Sequence, residues 1–169
     1  VLAFAPDVRR GMQTFVDSTW AVRFSCSGCL MFFHGCPFFW FSKMQRSVSL
    51  SSAEAEYFGC MLAAREVLFS SDLLPEFGVN LDGPSLIYCD SKSAVGMAYD
   101  PVSFKKTKHI MRAAAFLRDL VVRRRIAVEH LPGLRMIADL MTKAPSRSVF
   151  VTLLSLLDCF ARDDAAFAS

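Results

Sequence analysis

Hydrophobic and polar residues follow two different rhythms along the chain, and the change from one to the other divides it into elements. Gln13 to Asp17 reads as a strand with Asp17 near its carboxyl end. Ser25 to Gly28 is a turn-rich break, and Leu30 to Phe33 follows as a second strand. Gly35-Cys36-Pro37 makes the next turn. Phe38 to Phe41 and Ser47 to Leu50 then supply a third strand, interrupted near Lys43 to Arg46. Short turns between consecutive strands imply an antiparallel meander. The period then lengthens. Ser51 and Glu54 have the spacing of a capping box, so a helix begins there. Tyr57, Cys60, Met61, Ala64, Val67 and Leu68 form its buried stripe, to about Ser70.

The second half alternates strands with helices. Leu86 to Cys89 is almost wholly apolar, as a central strand covered on both faces should be, and Asp90 follows it directly. Ser91 caps a helix from Lys92 to Tyr99, which Asp100-Pro101 ends. A long helix is expected from Thr107 to Arg124, a strand from Ile126 to Leu131, and a turn at Pro132-Gly133. A short helix, Met136 to Met141, carries Asp139, and Val149 to Phe160 has the spacing of a last amphipathic helix. The order predicts an α/β fold: a mixed five-stranded sheet, three antiparallel strands then two parallel, flanked by helices. One domain covers residues 13–160, after a linker or the end of an upstream region at 1–12 and before a frayed tail at 161–169.

Composition narrows the classes. A chain of 169 residues that is 53% hydrophobic, with 16 phenylalanines, can bury a core and is not a disordered one. The apolar run Cys29 to Phe41 is shorter than the ~20 residues a membrane span needs and contains His34, Gly35 and Pro37. No membrane partner is expected, and nothing resembles a secretory leader. Cys26-x2-Cys29-x4-His34 matches the first ligands of a zinc knuckle, but Phe39 stands where a fourth cysteine belongs. A zinc-stabilised module with Cys36 is the weaker reading; reduced core thiols and no structural zinc are expected. The net charge is +3, yet gathering four of the 16 carboxylates in one site leaves 12 against 19 basic residues, a balance of +7 elsewhere. The basic residues cluster at Lys105-Lys106-x-Lys108 and Arg123 to Arg125, which favours a polyanionic partner, although solvated helix ends explain them as well.

The candidate chemistry lies in carboxylates at strand ends and helix starts. Glu54 is two positions before Glu56, about 200° round the helix, and reads as the cap. Glu56 shares its stripe with Gly59 and Ala63, which are too small to hold the helix away from a sheet. Asp17, Glu56 and Asp90 fall at strand ends or a helix start, and Asp139 in the first turns of a late helix. Four unrelated surface acids are the plain alternative. If the fold gathers them, only cations make the group tolerable, and hard oxygen ligands select Mg²⁺ or Mn²⁺. Two such ions can activate a water and stabilise the leaving oxygen of a phosphodiester displacement.

Several motifs together resemble a known family. They are Trp40-x-Ser42-Lys43-x-Gln45, Ser51 to Tyr57, Tyr88-Cys89-Asp90-Ser91-Lys92-Ser93-Ala94, Thr107-Lys108-His109-Ile110 and Ala138 to Lys143. In order and near-family spacing over residues 13–158, they resemble the ribonuclease H domain of copia-type LTR retrotransposon Pol polyproteins. The resemblance implies a ribonuclease H-like fold, two Mg²⁺ or Mn²⁺ ions, and hydrolysis of the RNA strand of an RNA–DNA hybrid during reverse transcription. It implies products with 5′-phosphate and 3′-hydroxyl ends, the reverse transcriptase domain of the same polyprotein as neighbour, and a cytoplasmic setting. By position, Asp17, Glu56, Asp90 and Asp139 would be the catalytic metal ligands. Lys105, Lys106, Lys108, His109, Arg123 and Arg124 are the candidates for holding nucleic acid, with solvent-facing helix ends as the alternative. His130 does not match the mobile histidine of cellular ribonucleases H and receives no catalytic role. Trp20 and Trp40 read as core or interface aromatics. Thr19 stands where the family has a second aspartate, and Val22-Arg23 where it has a glycine-aspartate pair. A decayed domain that only binds nucleic acid or the adjoining polymerase is therefore the alternative.

Overall fold

The computed structural model describes residues 11–21, 23–46, 48–100 and 108–162; the side chains of residues 108–113 and 158–162 lie outside that description. Five strands, β1 (Met12–Thr19), β2 (Cys26–Phe33), β3 (Cys36–Met44), β4 (Ser85–Cys89) and β5 (Ile126–His130), form one sheet in the order β3-β2-β1-β4-β5. The first three pair antiparallel, and β4 and β5 add in parallel, as the order of elements predicts. Five helices accompany them: α1 (Ser52–Leu73), α2 (Lys92–Tyr99), α3 (Lys108–Val122), α4 (Asp139–Thr142) and α5 (Arg147–Arg162).

Each face of the sheet carries its own core. On one, Val16, Met31, Ile87 and Val128 meet Tyr57 and Val67 of α1, Ala94 of α2 and Leu117 of α3. On the other, Phe15, Leu30 and Phe32 meet Leu131 and the Met136-Ile137-Ala138 run, with Leu156 and Leu157 of α5 alongside. Phe15 stacks on Tyr88 at 5.1 Å and meets Phe32 edge-on at 5.6 Å, an arrangement that ring quadrupoles favour. Among the described residues, no helix is long and apolar enough to cross a membrane.

Local chemistry explains most boundaries. Ser51 caps α1 by accepting from the Glu54 amide at 3.2 Å, and the Glu54 carboxylate accepts from the Leu50 amide at 2.7 Å. The β2–β3 turn is tighter than expected. Only His34 and Gly35 lie outside the strands, both at positive φ (51° and 79°), which suits the twist of a two-residue hairpin. Cys36 and Pro37 already belong to β3, an edge strand where a missing N–H costs no ladder bond.

Three expectations are corrected. Cys26-Ser27-Gly28 is strand rather than turn, because the Ser27 hydroxyl is satisfied inside by Ser18 Oγ at 2.9 Å and Gln45 Nε2 at 2.8 Å. Val48 to Leu50 do not extend β3. Side chains hold that segment instead: Gln45 also donates to the Ala55 carbonyl and accepts from Ser49 Oγ, each at 2.8 Å, and Trp20 Nε1 donates to the Ser49 carbonyl at 2.9 Å. Met136 to Ala138 are a buried link rather than helix, and α4 begins only at Asp139.

Candidate active site

Two small residues let two helices close on the carboxyl end of β1. Gly59 lies against β1, where an added Cβ would stand 3.0 Å from Val16 Cγ1 and closer still to Ser18 Oγ. Glu56, one turn earlier on α1, is thereby held beside that strand end. On the opposite face Gly28, paired with Asp17 across the β1–β2 ladder, meets α4. A Cβ there would come within 2.6 Å of both Met141 Cβ and Thr142 Cγ2. Only glycine admits this approach, and α4 brings Asp139, Thr142 and Lys143 with it.

The acids then converge. Asp17 is 1% exposed. Its Oδ2 accepts from the Thr142 hydroxyl and its Oδ1 receives the Lys143 ammonium at 3.1 Å. The same ammonium reaches Asp139 Oδ1 at 2.9 Å, one helical turn away. Glu56 is buried and accepts from the Cys89 thiol at 3.8 Å. Glu56, Cys89 and Asp90 offer ligand atoms within 4.8 Å of one another.

Electrostatics ties these contacts into one group. Burial pushes the Glu56 carboxyl up to about 10, and the charges of Asp17 and Asp90 add to that, against the Ser18 amide. Burial also raises Asp90, Asp17 raises it further, and Lys143 and His130 pull it back. Asp139 is raised by burial and by Asp17, with the Lys143 hydrogen bond opposing. Burial works against the Lys143 charge, but hydrogen bonds to Asp139 and Asp17 outweigh it and raise its pKa. A buried Glu56 that resists ionising, beside Asp90 and Asp139 whose carboxyls are also raised, fits a hard divalent cation, which would satisfy oxygens that a single ammonium serves in part.

The fold therefore brings Asp17, Glu56, Asp90 and Asp139 together. It does not bring the second basic cluster. The Ser85 amide donates to the Arg125 carbonyl at 3.1 Å, so Arg123 and Arg124 sit where β4 and β5 begin, about 16 Å of strand from Asp90. Arg123 is engaged with Asp119 at 2.9 Å. Lys105 and Lys106 lie outside the described residues. Lys108 and His109 open α3, with side chains outside that description, about 22 Å of helix from the arginines. Cys26 and His34 lie at opposite ends of β2, more than ~20 Å apart, so they share no tetrahedral centre. Trp20 and Trp40 are 54% and 60% exposed rather than in a core. Trp40 lies opposite Leu30 on edge strand β3, which contributes no buried residue to the core on that face.

Sequence reasoning gave no role to Thr142, Lys143, Cys89 or His130. Lys143 had a legible signal, its four-residue spacing from Asp139. His130 pairs in register with Cys89 beside Asp90, which only strand pairing reveals.

Comparison with known proteins agrees with this architecture. No family model matches the chain. The retrovirus-related Pol polyprotein from transposon RE1 of Arabidopsis thaliana is 32% identical over 143 residues, 82% of this chain. That from transposon TNT 1-94 of Nicotiana tabacum is 31% identical over 128 residues, 76% of the chain. The chain spans only 10% of the length of either. Among solved structures, LC11-RNase H1 in complex with an RNA/DNA hybrid superposes with a TM-score of 0.59 at 15% identity, covering 77% of this chain and 92% of that one. The N-terminal RNase H domain of a Mycobacterium tuberculosis protein gives 0.59 at 14% identity, covering 86% and 97%. The prototype foamy virus protease-reverse transcriptase gives 0.51 at 16%, over 89% of this chain and 20% of that one. At such identities the structural likeness establishes the fold, while the transposon relatives establish descent. The chain belongs to the retrovirus-related Pol polyproteins of transposons, and the part of them that it represents has the ribonuclease H fold.

Proposed function

We propose that this domain hydrolyses the RNA strand of RNA–DNA hybrids during reverse transcription of a copia-type element, leaving 5′-phosphate and 3′-hydroxyl ends. The observation that carries the reading is the geometry at the carboxyl end of β1: one ammonium, Lys143, bridges Asp17 and Asp139, while Glu56 of α1 and Asp90 after β4 offer oxygens within 4.8 Å of each other. Asp17, Glu56, Asp90 and Asp139 would hold Mg²⁺ or Mn²⁺, two ions on this reading. Bound there, divalent cations would neutralise the acids and the charge that develops on a phosphate under attack. The chain's own part is to exclude water around Asp17 and Glu56, to fix their oxygens through Thr142 and Cys89, and to keep Asp90 and Asp139 partly exposed toward substrate. Lys108 and His109, with Lys105 and Lys106, are the candidates for phosphate contacts. RNA would be told from DNA by its 2′-hydroxyls and groove shape rather than by base edges.

The test is incubation of the 169-residue chain with a labelled hybrid and Mg²⁺ or Mn²⁺. Cleavage of the RNA strand only, abolished by Asp90→Asn, is the expected result. No cleavage by the parent chain, or cleavage untouched by that substitution, removes the proposal. A second reading, binding without hydrolysis, is favoured by one observation: Thr19, where the family has its second aspartate, accepts from the Cys26 amide at 3.3 Å and serves the hairpin. That reading predicts hybrid binding that weakens with salt and no products.

A further inference from the structure

The acid group carries a cation of its own. Lys143 is the first residue beyond α4, in extended backbone, and its side chain is 42% exposed. Its ammonium nevertheless reaches inward, between Asp17 Oδ1 at 3.1 Å and Asp139 Oδ1 at 2.9 Å. Asp17 is 1% exposed, so it has no water shell to replace that contact. The two oxygens belong to residues that would also hold a divalent ion. An ammonium and a divalent ion repel strongly at such separations, so both cannot occupy the space between the same carboxylates. Lys143 has a way out, because half-exposed and anchored on extended backbone it can swing into solvent without unwinding α4.

We propose that Lys143 is a built-in counter-cation, which holds Asp17 and Asp139 in the metal-free protein and is displaced from them when a divalent ion binds. The inference rests on the four acids forming a cation site. It makes Lys143 a positioning residue with a dual effect: it keeps the acid pair assembled before loading, and it sets how much cation is needed to load it. A structural ion pair that the ion leaves undisturbed is the competing account.

The experiment is a calorimetric Mg²⁺ titration of the 169-residue chain without nucleic acid. Lys143→Met should bind Mg²⁺ roughly tenfold more tightly, since a charge-assisted contact no longer has to be broken. Lys143→Arg, which keeps the charge, should stay near the parent. Lys92→Met, which removes an exposed charge from the first turn of α2, should change affinity by about twofold or less. The metal-free Lys143→Met protein should melt below the parent, and saturating Mg²⁺ should close the gap. In the parent chain itself, Mg²⁺ should move the Lys143 ammonium NMR resonance to that of a solvent-exposed lysine. An unmoved resonance, or equal or weaker Mg²⁺ binding by Lys143→Met, overturns the inference while leaving the nuclease reading intact. Failure of every protein to bind Mg²⁺ or Mn²⁺ overturns both.

Discussion

Replacing Glu56 by glutamine should stabilise the metal-free domain, and by an amount that depends on pH. The folded carboxyl is raised from the ordinary 4.5 to about 10, chiefly by burial and then by neighbouring negative charge. A raised carboxyl favours folding at low pH. Below about 4.5 both folded and unfolded chains hold the proton and Glu56 contributes no pH dependence. As pH rises the unfolded chain ionises freely while the folded one cannot, so stability falls until the folded value is reached. Each pH unit is worth about 1.4 kcal/mol, which makes the cost near pH 7 about 3 kcal/mol. For a chain of this size that corresponds to about 6–12 °C in melting temperature. Glutamine has nearly the same shape and no proton to lose. Thermal melts of parent and Glu56→Gln across pH 4 to 8 in a chelator should therefore coincide at the acid end and diverge steadily above it, with the variant higher. Asp90 and Asp139 also titrate abnormally, so the difference between the two proteins, rather than either slope, isolates Glu56. Added Mg²⁺ should then raise the parent more than the variant, since the cation favours an ionised Glu56. Parallel melting curves at every pH would show that Glu56 is not desolvated as the packing of α1 on β1 requires.

Other substitutions test the scaffold. Gly28→Ala should cost about 1–3 kcal/mol, because its Cβ would push α4 off β2, and hybrid cleavage should fall further than stability does; unchanged melting would refute the close approach. Gln45→Ala should cost about 2–3 kcal/mol by denaturant unfolding, as Ser27, Ser49 and the Ala55 carbonyl lose a buried partner. Phe15→Ala should cost about 3–5 kcal/mol, opening a cavity between Phe32 and Tyr88. Trp40→Ser should stay within about 0.5 kcal/mol, since its ring is 60% exposed.

The elements themselves were legible because their causes are local. The Ser51–Glu54 cap, the apolar stripe of α1, the bare apolar run of β4 and the Ser91 cap depend on residues a few positions apart; the structure has both caps and β4 where the pattern puts them, and buries Tyr57, Cys60, Ala64 and Val67 of the stripe while Met61 and Leu68 stay partly exposed. The strand and helix order was enough to anticipate a mixed sheet, since short turns allow only antiparallel neighbours and parallel ones need a crossover of the length a helix supplies. Where local signals compete with distant partners, the pattern misled. Ser27 and Gly28 look like a turn until Gln45 and α4 are in place, and Val48 to Leu50 look like strand until Gln45 and Trp20 claim their backbone.

Site residues divide the same way. Which acids stand at strand ends could be read along the chain, and the family resemblance grouped them as one ligand set; the contacts that hold them could not be read, because Lys143 reaches Asp17 across 126 positions and Cys89 reaches Glu56 across 33. The opposite outcome for Arg123 and Arg124, at the far end of the same sheet, has the same origin. Period, capping and turn chemistry act through backbone sterics within a few residues, so sequence alone carries them. Desolvation and charge pairing act through space, and only the folded chain says which groups share it.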